Sequence, residues 1–108
     1  SLPTYPQKEL ADRMFGKNGY CAMLSFIVPE DLEKIDQFML ALKFPKYAPT
    51  LDGLHTTLSH PVTSSHMGVP DETRRKMGIT PGMIRVSVGI EDADDLAADF
   101  ENALKVFD

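Results

Sequence analysis

The sequence predicts one two-layer α/β sandwich, a small sheet with helices on one face. A length of 108 residues is enough for a single modest core. A hydrophobic content of 43% and a charged content of 25% are typical of a globular protein. Short apolar runs alternate along the chain with segments of helical spacing, without an internal repeat, and this pattern is typical of a two-layer α/β domain.

Turn and cap residues divide the chain into seven elements. The predicted order is a helix at 7–15, a strand at 20–28, a helix opened by 29–31, a strand at 54–59, a short helix at 71–77, a strand at 83–88, and a final helix capped by Asp92. Two prolines make residues 44–50 an irregular, extended crossing. His60-Pro61 ends the predicted strand at 54–59, because proline lacks an amide donor and restricts the backbone conformation of the residue before it.

Each of the two long helices shows one apolar side that can cover the sheet. The first apolar stripe consists of Leu32, Ile35, Met39 and Leu42, and the second consists of Leu96, Phe100, Leu104 and Phe107.

Charge and cysteine content exclude several classes of function. A net charge of −5 argues against nucleic acid or an anionic membrane as partner, since both need clustered Lys and Arg. The short basic run Arg74-Arg75-Lys76 lies among acids and is expected on a solvated helix face. No apolar run is long enough to cross a bilayer. The single cysteine excludes an internal disulfide and fits a cytoplasmic location.

Arg85 is the most informative residue, because it interrupts an alternating apolar strand. An unpaired buried charge costs several kcal/mol, so an anion should meet its guanidinium. That anion is either a carboxylate of the protein, such as Asp52 or Glu91, or the carboxylate of a ligand held in a bidentate pair. The residues alone leave both alternatives open.

No other group forms a complete catalytic or metal site. His55, His60 and His66 match neither a helical ligand pair nor a zinc signature, so they are expected to hydrogen-bond the backbone and no metal is predicted. Cys21 opens an apolar strand and is expected to be buried and inert. The acids at the start of the last helix are expected to cap it: Glu91, Asp92, Asp94 and Asp95.

Several motifs, in order, carry a resemblance to a known family. The segments are Gly78 to Asp95, Pro6-Gln7 with Glu9-Leu10-Ala11 and Arg13, Met23 to Phe26, Thr50-Leu51-Asp52-Gly53, Thr56, His60-Pro61 and Ser65-His66. In order and spacing they resemble the C-terminal part of the pyridoxal-phosphate enzymes of cysteine and methionine metabolism. That family contains cystathionine γ-synthases, cystathionine and methionine lyases, and O-acylhomoserine sulfhydrylases. The resemblance covers nearly all of the chain.

The resemblance implies that residues 1–108 form the C-terminal, substrate-binding domain of a fold-type I enzyme, with a mostly antiparallel sheet. The cofactor, pyridoxal 5'-phosphate, would be held by an N-terminal domain outside this chain, which therefore contributes no catalytic or cofactor-binding residue and is inactive alone. Arg85 would hold the α-carboxylate of an amino-acid substrate, with Thr50 and Leu51 beside it. The intact enzyme would be a cytoplasmic homotetramer, a dimer of dimers.

Three departures from the family pattern leave the subfamily open. Thr50 replaces a serine, Asp52 replaces a glycine, and His55 stands where glutamate is frequent. The reaction is therefore expected to be elimination or replacement at Cβ or Cγ of cystathionine, methionine or an O-acylhomoserine. Two other interpretations remain: a stand-alone small-molecule binding domain, and a structural domain with Arg85 in an internal ion pair.

Overall fold

A computed structural model of the chain describes residues 2–51 and 53–108. The helices are α1 (Lys8–Phe15), α2 (Leu32–Ala41), α3 (Asp71–Lys76) and α4 (Ala93–Leu104); the strands are β1 (Met23–Ile27), β2 (Lys46–Tyr47), β3 (Thr57–Ser59) and β4 (Met83–Ser87); and 3-10 turns cover Pro61–Thr63 and Lys105–Phe107. The order predicted from the sequence is confirmed, with β2 as an addition. Within the described residues, no helix combines the length and apolar character needed to span a bilayer.

The four strands form one mixed sheet in the order β1-β4-β3-β2. β4 pairs antiparallel with β1 on one side and with β3 on the other, whereas β2 runs parallel to β3. β2 lies in the crossing that was expected to be extended but irregular. It is held by the amides of Lys46 and Ala48, which donate to the carbonyls of Thr56 at 3.1 Å and Leu58 at 2.9 Å. The predicted α/β class is correct, and two of its three strand pairings are antiparallel.

The hydrophobic core lies between one face of this sheet and helices α2 and α4. Phe38 of α2 is its most central side chain, with 0% of its surface exposed. Its ring is 6.1 Å from that of Phe26 on β1, 6.3 Å from that of Phe100 on α4 and 6.0 Å from that of Phe107. The buried residues that complete this core are Val28, Ile35, Leu58, Ile84, Val86 and Ala103. The predicted stripe of α2 is wrong in two places, because Leu32 is exposed and Phe38 was missed.

Helices α2 and α4 each begin at an aspartate cap, and the cap at Asp92 was predicted from the sequence. The Asp31 carboxylate accepts hydrogen bonds from the amides of Glu33 and Lys34, and the Asp92 carboxylate accepts them from the amides of Asp94 and Asp95. A carboxylate at this position satisfies free amides and interacts favourably with the helix dipole. These two caps fix the residues at which α2 and α4 begin.

The turn between β4 and α4 approaches the start of β3 very closely. A Cβ atom on Gly89 would lie 2.5 Å from the Leu54 carbonyl oxygen and 2.5 Å from the Thr56 amide nitrogen. Those distances are shorter than van der Waals contact with backbone atoms that cannot move independently. Only glycine fits at this position without a shift of one segment.

Phe38→Ala is expected to lower the free energy of unfolding by about 3–5 kcal/mol, because the truncated ring leaves a cavity among three other aromatic rings. Denaturant unfolding followed by circular dichroism measures the change. Leu40→Ala on the same helix is the control: Leu40 is 85% exposed, so its removal should change stability by less than about 0.5 kcal/mol. Equal effects of the two substitutions would contradict this core assignment.

Gly89→Ala is expected to destabilise the protein by about 1–3 kcal/mol, the usual cost of overpacking a tight contact. Gly68→Ala is the matched control, because an added Cβ on Gly68 meets no atom within 4 Å. Thermal unfolding of both variants tests the close approach. A Gly89 variant as stable as the Gly68 variant would show that the turn stands farther from β3.

Candidate functional site

Arg85 lies at the middle of the central strand, on the face of the sheet away from α2 and α4. Its neighbours along β4, Ile84 and Val86, are buried in the core, and side chains alternate between the two faces of a strand. In the register of the sheet, Arg85 stands opposite Ser25 on β1 and opposite Ser59 on β3. The guanidinium therefore projects from a row of small hydroxyl side chains.

Thr50 reaches the same face through a hydroxyl pair. Ser87 and Thr57 are opposite each other two pairs along from Arg85 and Ser59, on the same face of the sheet, and both are buried. The Thr50 hydroxyl lies 2.8 Å from the Thr57 hydroxyl. Diagonal neighbours across an antiparallel pair are about 7–8 Å apart, within reach of an arginine side chain. The structure thus brings Thr50 and Arg85 to one face of the sheet.

Arg85 is half-buried and has no protein carboxylate as partner among residues 2–51 and 53–108. Because Arg85 is only partly buried, it does not carry the full cost of an unpaired buried charge. Of the two acids considered as internal partners, Asp52 lies outside the described residues. Glu91 binds Thr56 instead of Arg85.

Glu91 joins the end of β4 to the start of β3. Its Oε1 accepts the Thr56 amide at 2.7 Å and its Oε2 accepts the Thr56 hydroxyl at 2.8 Å. The Thr56 amide, followed by other donors that include the Thr56 hydroxyl, lowers the pKa of the Glu91 carboxyl below its ordinary value. The prediction that Glu91 caps the last helix is therefore wrong, and Asp92 is the cap. The only sequence signal for this contact was a glutamate two residues after the glycine at which the predicted strand breaks.

The loop 50–55 carries the two other predicted substrate-binding positions. Thr50 is exposed apart from its hydroxyl contact, and the Leu51 side chain is 60% exposed. The Ile90 amide donates to the Leu54 carbonyl at 3.0 Å and anchors the far end of the loop. The loop thus exposes the Leu51 side chain and holds the Thr50 hydroxyl on Thr57, on the sheet face of Arg85.

The remaining candidate residues have structural roles or none. The His60 imidazole is buried between the Thr63 hydroxyl at 2.9 Å and the Pro81 carbonyl at 2.6 Å, as expected for a turn histidine. In the described part of the chain, no three His, Cys, Asp or Glu side chains are grouped so as to bind a metal. Cys21 precedes β1 and is exposed, so the expectation of a buried cysteine is wrong. β1 begins at Met23, two residues after Cys21, so Cys21 lies outside the strand that was expected to bury it.

Of the basic run, Arg75 and Lys76 match the expected solvated face. Arg75 pairs with Glu30 at 2.9 Å and with Asp71 at 2.9 Å, and Lys76 pairs with Glu72 at 2.7 Å. The run is neutralised by neighbouring acids, so it does not form a free basic surface.

Sequence comparison identifies one family over almost the whole chain. Residues 1–105 match the family described as Cys/Met metabolism PLP-dependent enzyme. The cystathionine beta-lyase MetC of Bacillus subtilis (strain 168) is 45% identical over 87 residues, which are 81% of this chain and 22% of that protein. The chain spans about a quarter of the length of the curated relatives it matches.

Solved structures agree with the sequence comparison. The cystathionine gamma synthase of Xanthomonas oryzae pv. oryzae in complex with cystathionine superposes with a TM-score of 0.84 at 32% identity, over 97% of this chain and 27% of that chain. A protein of Campylobacter jejuni described as an O-acetylhomoserine (thiol)-lyase, solved with N'-pyridoxyl-lysine-5'-monophosphate, gives a TM-score of 0.86 at 30% identity over 96% of this chain and 24% of that one. The chain therefore belongs to the family of Cys/Met metabolism PLP-dependent enzymes.

Proposed function

We propose that this chain is the C-terminal, substrate-binding domain of a larger pyridoxal-phosphate enzyme that performs elimination or replacement on a sulfur amino acid or an O-acylated homoserine. In this proposal Arg85 holds the substrate α-carboxylate, and Thr50 and Leu51 border it. The observation that carries the proposal is a half-buried arginine at the centre of the sheet, without a carboxylate partner in the described part of the chain.

The surroundings of Arg85 suit an anion that carries further polar groups. A planar guanidinium offers donors in a fork that matches a carboxylate, and a strand in the middle of a sheet is a rigid support for it. The serines opposite Arg85, Ser25 and Ser59, are small, and Arg85 itself is only half-buried. A carboxylate fixed at two oxygens restricts rotation about the substrate Cα, which is a positioning effect.

The residues present do not fit the cofactor itself. A lysine that carries a cofactor needs a buried or otherwise perturbed setting. No lysine in residues 2–51 and 53–108 is buried, and Lys8 and Lys76 are paired with Asp12 and Glu72 on helix surfaces. We infer that the cofactor and the groups that perform the chemistry belong to a separate domain, and that this chain alone is inactive.

The finer parts of the proposal come from the family and are not distinguished by this chain. Similar proteins include a lyase, a synthase and a thiol-lyase by name, so the choice between elimination and replacement stays open. The cytoplasmic location and the homotetrameric assembly remain predictions. Among the residues that the structure describes, no contact favours the stand-alone binding domain.

The reading frame that encodes this chain tests the domain assignment directly. We expect it to continue upstream into a long segment that contains a lysine among serine and threonine residues. Sequencing of the parent gene is the measurement. A translation start adjacent to Ser1 would contradict the assignment and favour an independent domain.

In the intact enzyme, Arg85→Ala is expected to raise KM about 30-fold or more, since loss of a charged hydrogen-bonded pair costs about 2 kcal/mol or more. Cofactor absorbance should stay unchanged, because Arg85 does not hold the cofactor in this proposal. Arg13→Ala is the matched control: Arg13 is an exposed arginine on α1, and its removal should leave KM unchanged. Normal turnover by the Arg85 variant would show that the carboxylate binds elsewhere.

A further inference from the structure

We propose that Glu91 is a positioning residue for substrate binding: it fixes the loop 50–55 against the end of β4 and so sets where Thr50 and Leu51 stand relative to Arg85. The inference rests on the proposed carboxylate-binding role of Arg85. It adds a residue that does not touch the substrate and acts through the loop.

The first step is the pair of hydrogen bonds between Glu91 and Thr56. Both carboxylate oxygens are used, one for the Thr56 amide at 2.7 Å and one for the Thr56 hydroxyl at 2.8 Å. Thr56 is completely buried, so water cannot replace these acceptors without an opening of the structure. Hydrogen bonds to an ionised acceptor are shorter and stronger than neutral ones.

The second step is that Thr56 is bonded on every polar atom. Its hydroxyl accepts the Gly89 amide at 2.8 Å, and its carbonyl accepts the Lys46 amide at 3.1 Å. The Ile90 amide donates to the Leu54 carbonyl at 3.0 Å. Three consecutive residues after β4, Gly89 to Glu91, therefore hold the end of the loop, and Glu91 supplies the only charged group among them.

The third step carries this constraint to Thr50. Thr57 follows Thr56 directly, and its hydroxyl is 2.8 Å from the hydroxyl of Thr50. Because Thr56 and Thr57 share a peptide bond, a displacement of Thr56 also shifts Thr57 and its contact with Thr50 at the start of the loop. Thr57 is also on the sheet face of Arg85, two register pairs away. Glu91 thus fixes both ends of the loop relative to the arginine.

The expected consequence concerns binding and not the chemical step. Without the Glu91 carboxylate, the loop is less ordered before substrate binds, and binding has to order it. Affinity for ligands that use the carboxylate site should fall, while ligands that do not use it should be unaffected. His55, whose ring nitrogen lies 4.0 Å from Glu91 and whose side chain is 85% exposed, is too exposed to replace this function.

The experiment compares two ligands on the intact, cofactor-loaded enzyme. L-methionine carries the α-carboxylate, and 3-(methylthio)propylamine is the same molecule without it; changes in cofactor absorbance give both dissociation constants. The ratio of amine to amino-acid dissociation constants is expected to fall about tenfold in Glu91→Ala and about threefold in Glu91→Gln, which keeps one acceptor oxygen. Glu101→Ala removes an exposed glutamate of α4 and should keep the ratio of the unmodified enzyme.

Arg85→Ala is measured in the same assay and separates the two proposals. In one outcome, Arg85→Ala brings the ratio of the two dissociation constants close to one, while both Glu91 variants keep the ratio of the unmodified enzyme. Glu91 then has no positioning role, and the proposed carboxylate site stands. If Arg85→Ala keeps the ratio, the proposed function itself is wrong. Equal weakening of both ligands in the Glu91 variants also overturns the inference, since a purely structural residue would act on both. Thermal unfolding checks folding, and Glu91→Gln decides the test if the alanine variant does not fold.

Discussion

The two-residue period of the central strand is the constraint on which both core and site depend. β4 is paired on both edges, so each of its side chains must belong to one face or the other. Ile84 and Val86 fill the core against α2 and α4, and this places Arg85 and Ser87 on the opposite face. A shift of one residue in register would bury the guanidinium and expose the core residues. The hydrophobic core therefore fixes the direction of the arginine.

Contacts around Thr56 fix a second part of the proposed site, the end of the loop that precedes β3. The turn after β4 lies against the start of β3 through backbone and carboxylate hydrogen bonds, and Gly89 makes the close approach possible. The same strand that carries Arg85 thus continues into the segment that holds loop 50–55. The same stretch of chain, β4 and the turn after it, therefore holds both parts of the proposed carboxylate site in place, although Thr50 and Arg85 are far apart in sequence.

Much of the fold could be predicted from periodicity and caps, and the site only in part. Arg85 was conspicuous because a charge breaks an apolar alternation, whereas Glu91 lies among other acids and looks like one of them. Its partner, Thr56, is distant in the sequence, and such pairings are visible only in the folded chain. Phe38 was missed for a related reason: a helix with apolar residues on several positions does not reveal which of them meets the sheet. β2 is too short to give a pattern.

Because β4 is central in the sheet, the two parts of the proposed site differ in how readily they open locally. A strand bonded on both edges and packed on a core opens only with the global unfolding of a domain, so its amide hydrogens exchange slowly. Thr50, Leu51, Gly53 and Leu54 are exposed and lie outside the strands, and such segments open with little free energy. In the proposed site, Arg85 is thus held rigidly by the sheet, whereas Thr50 and Leu51 lie where the order of the chain can change when a ligand binds.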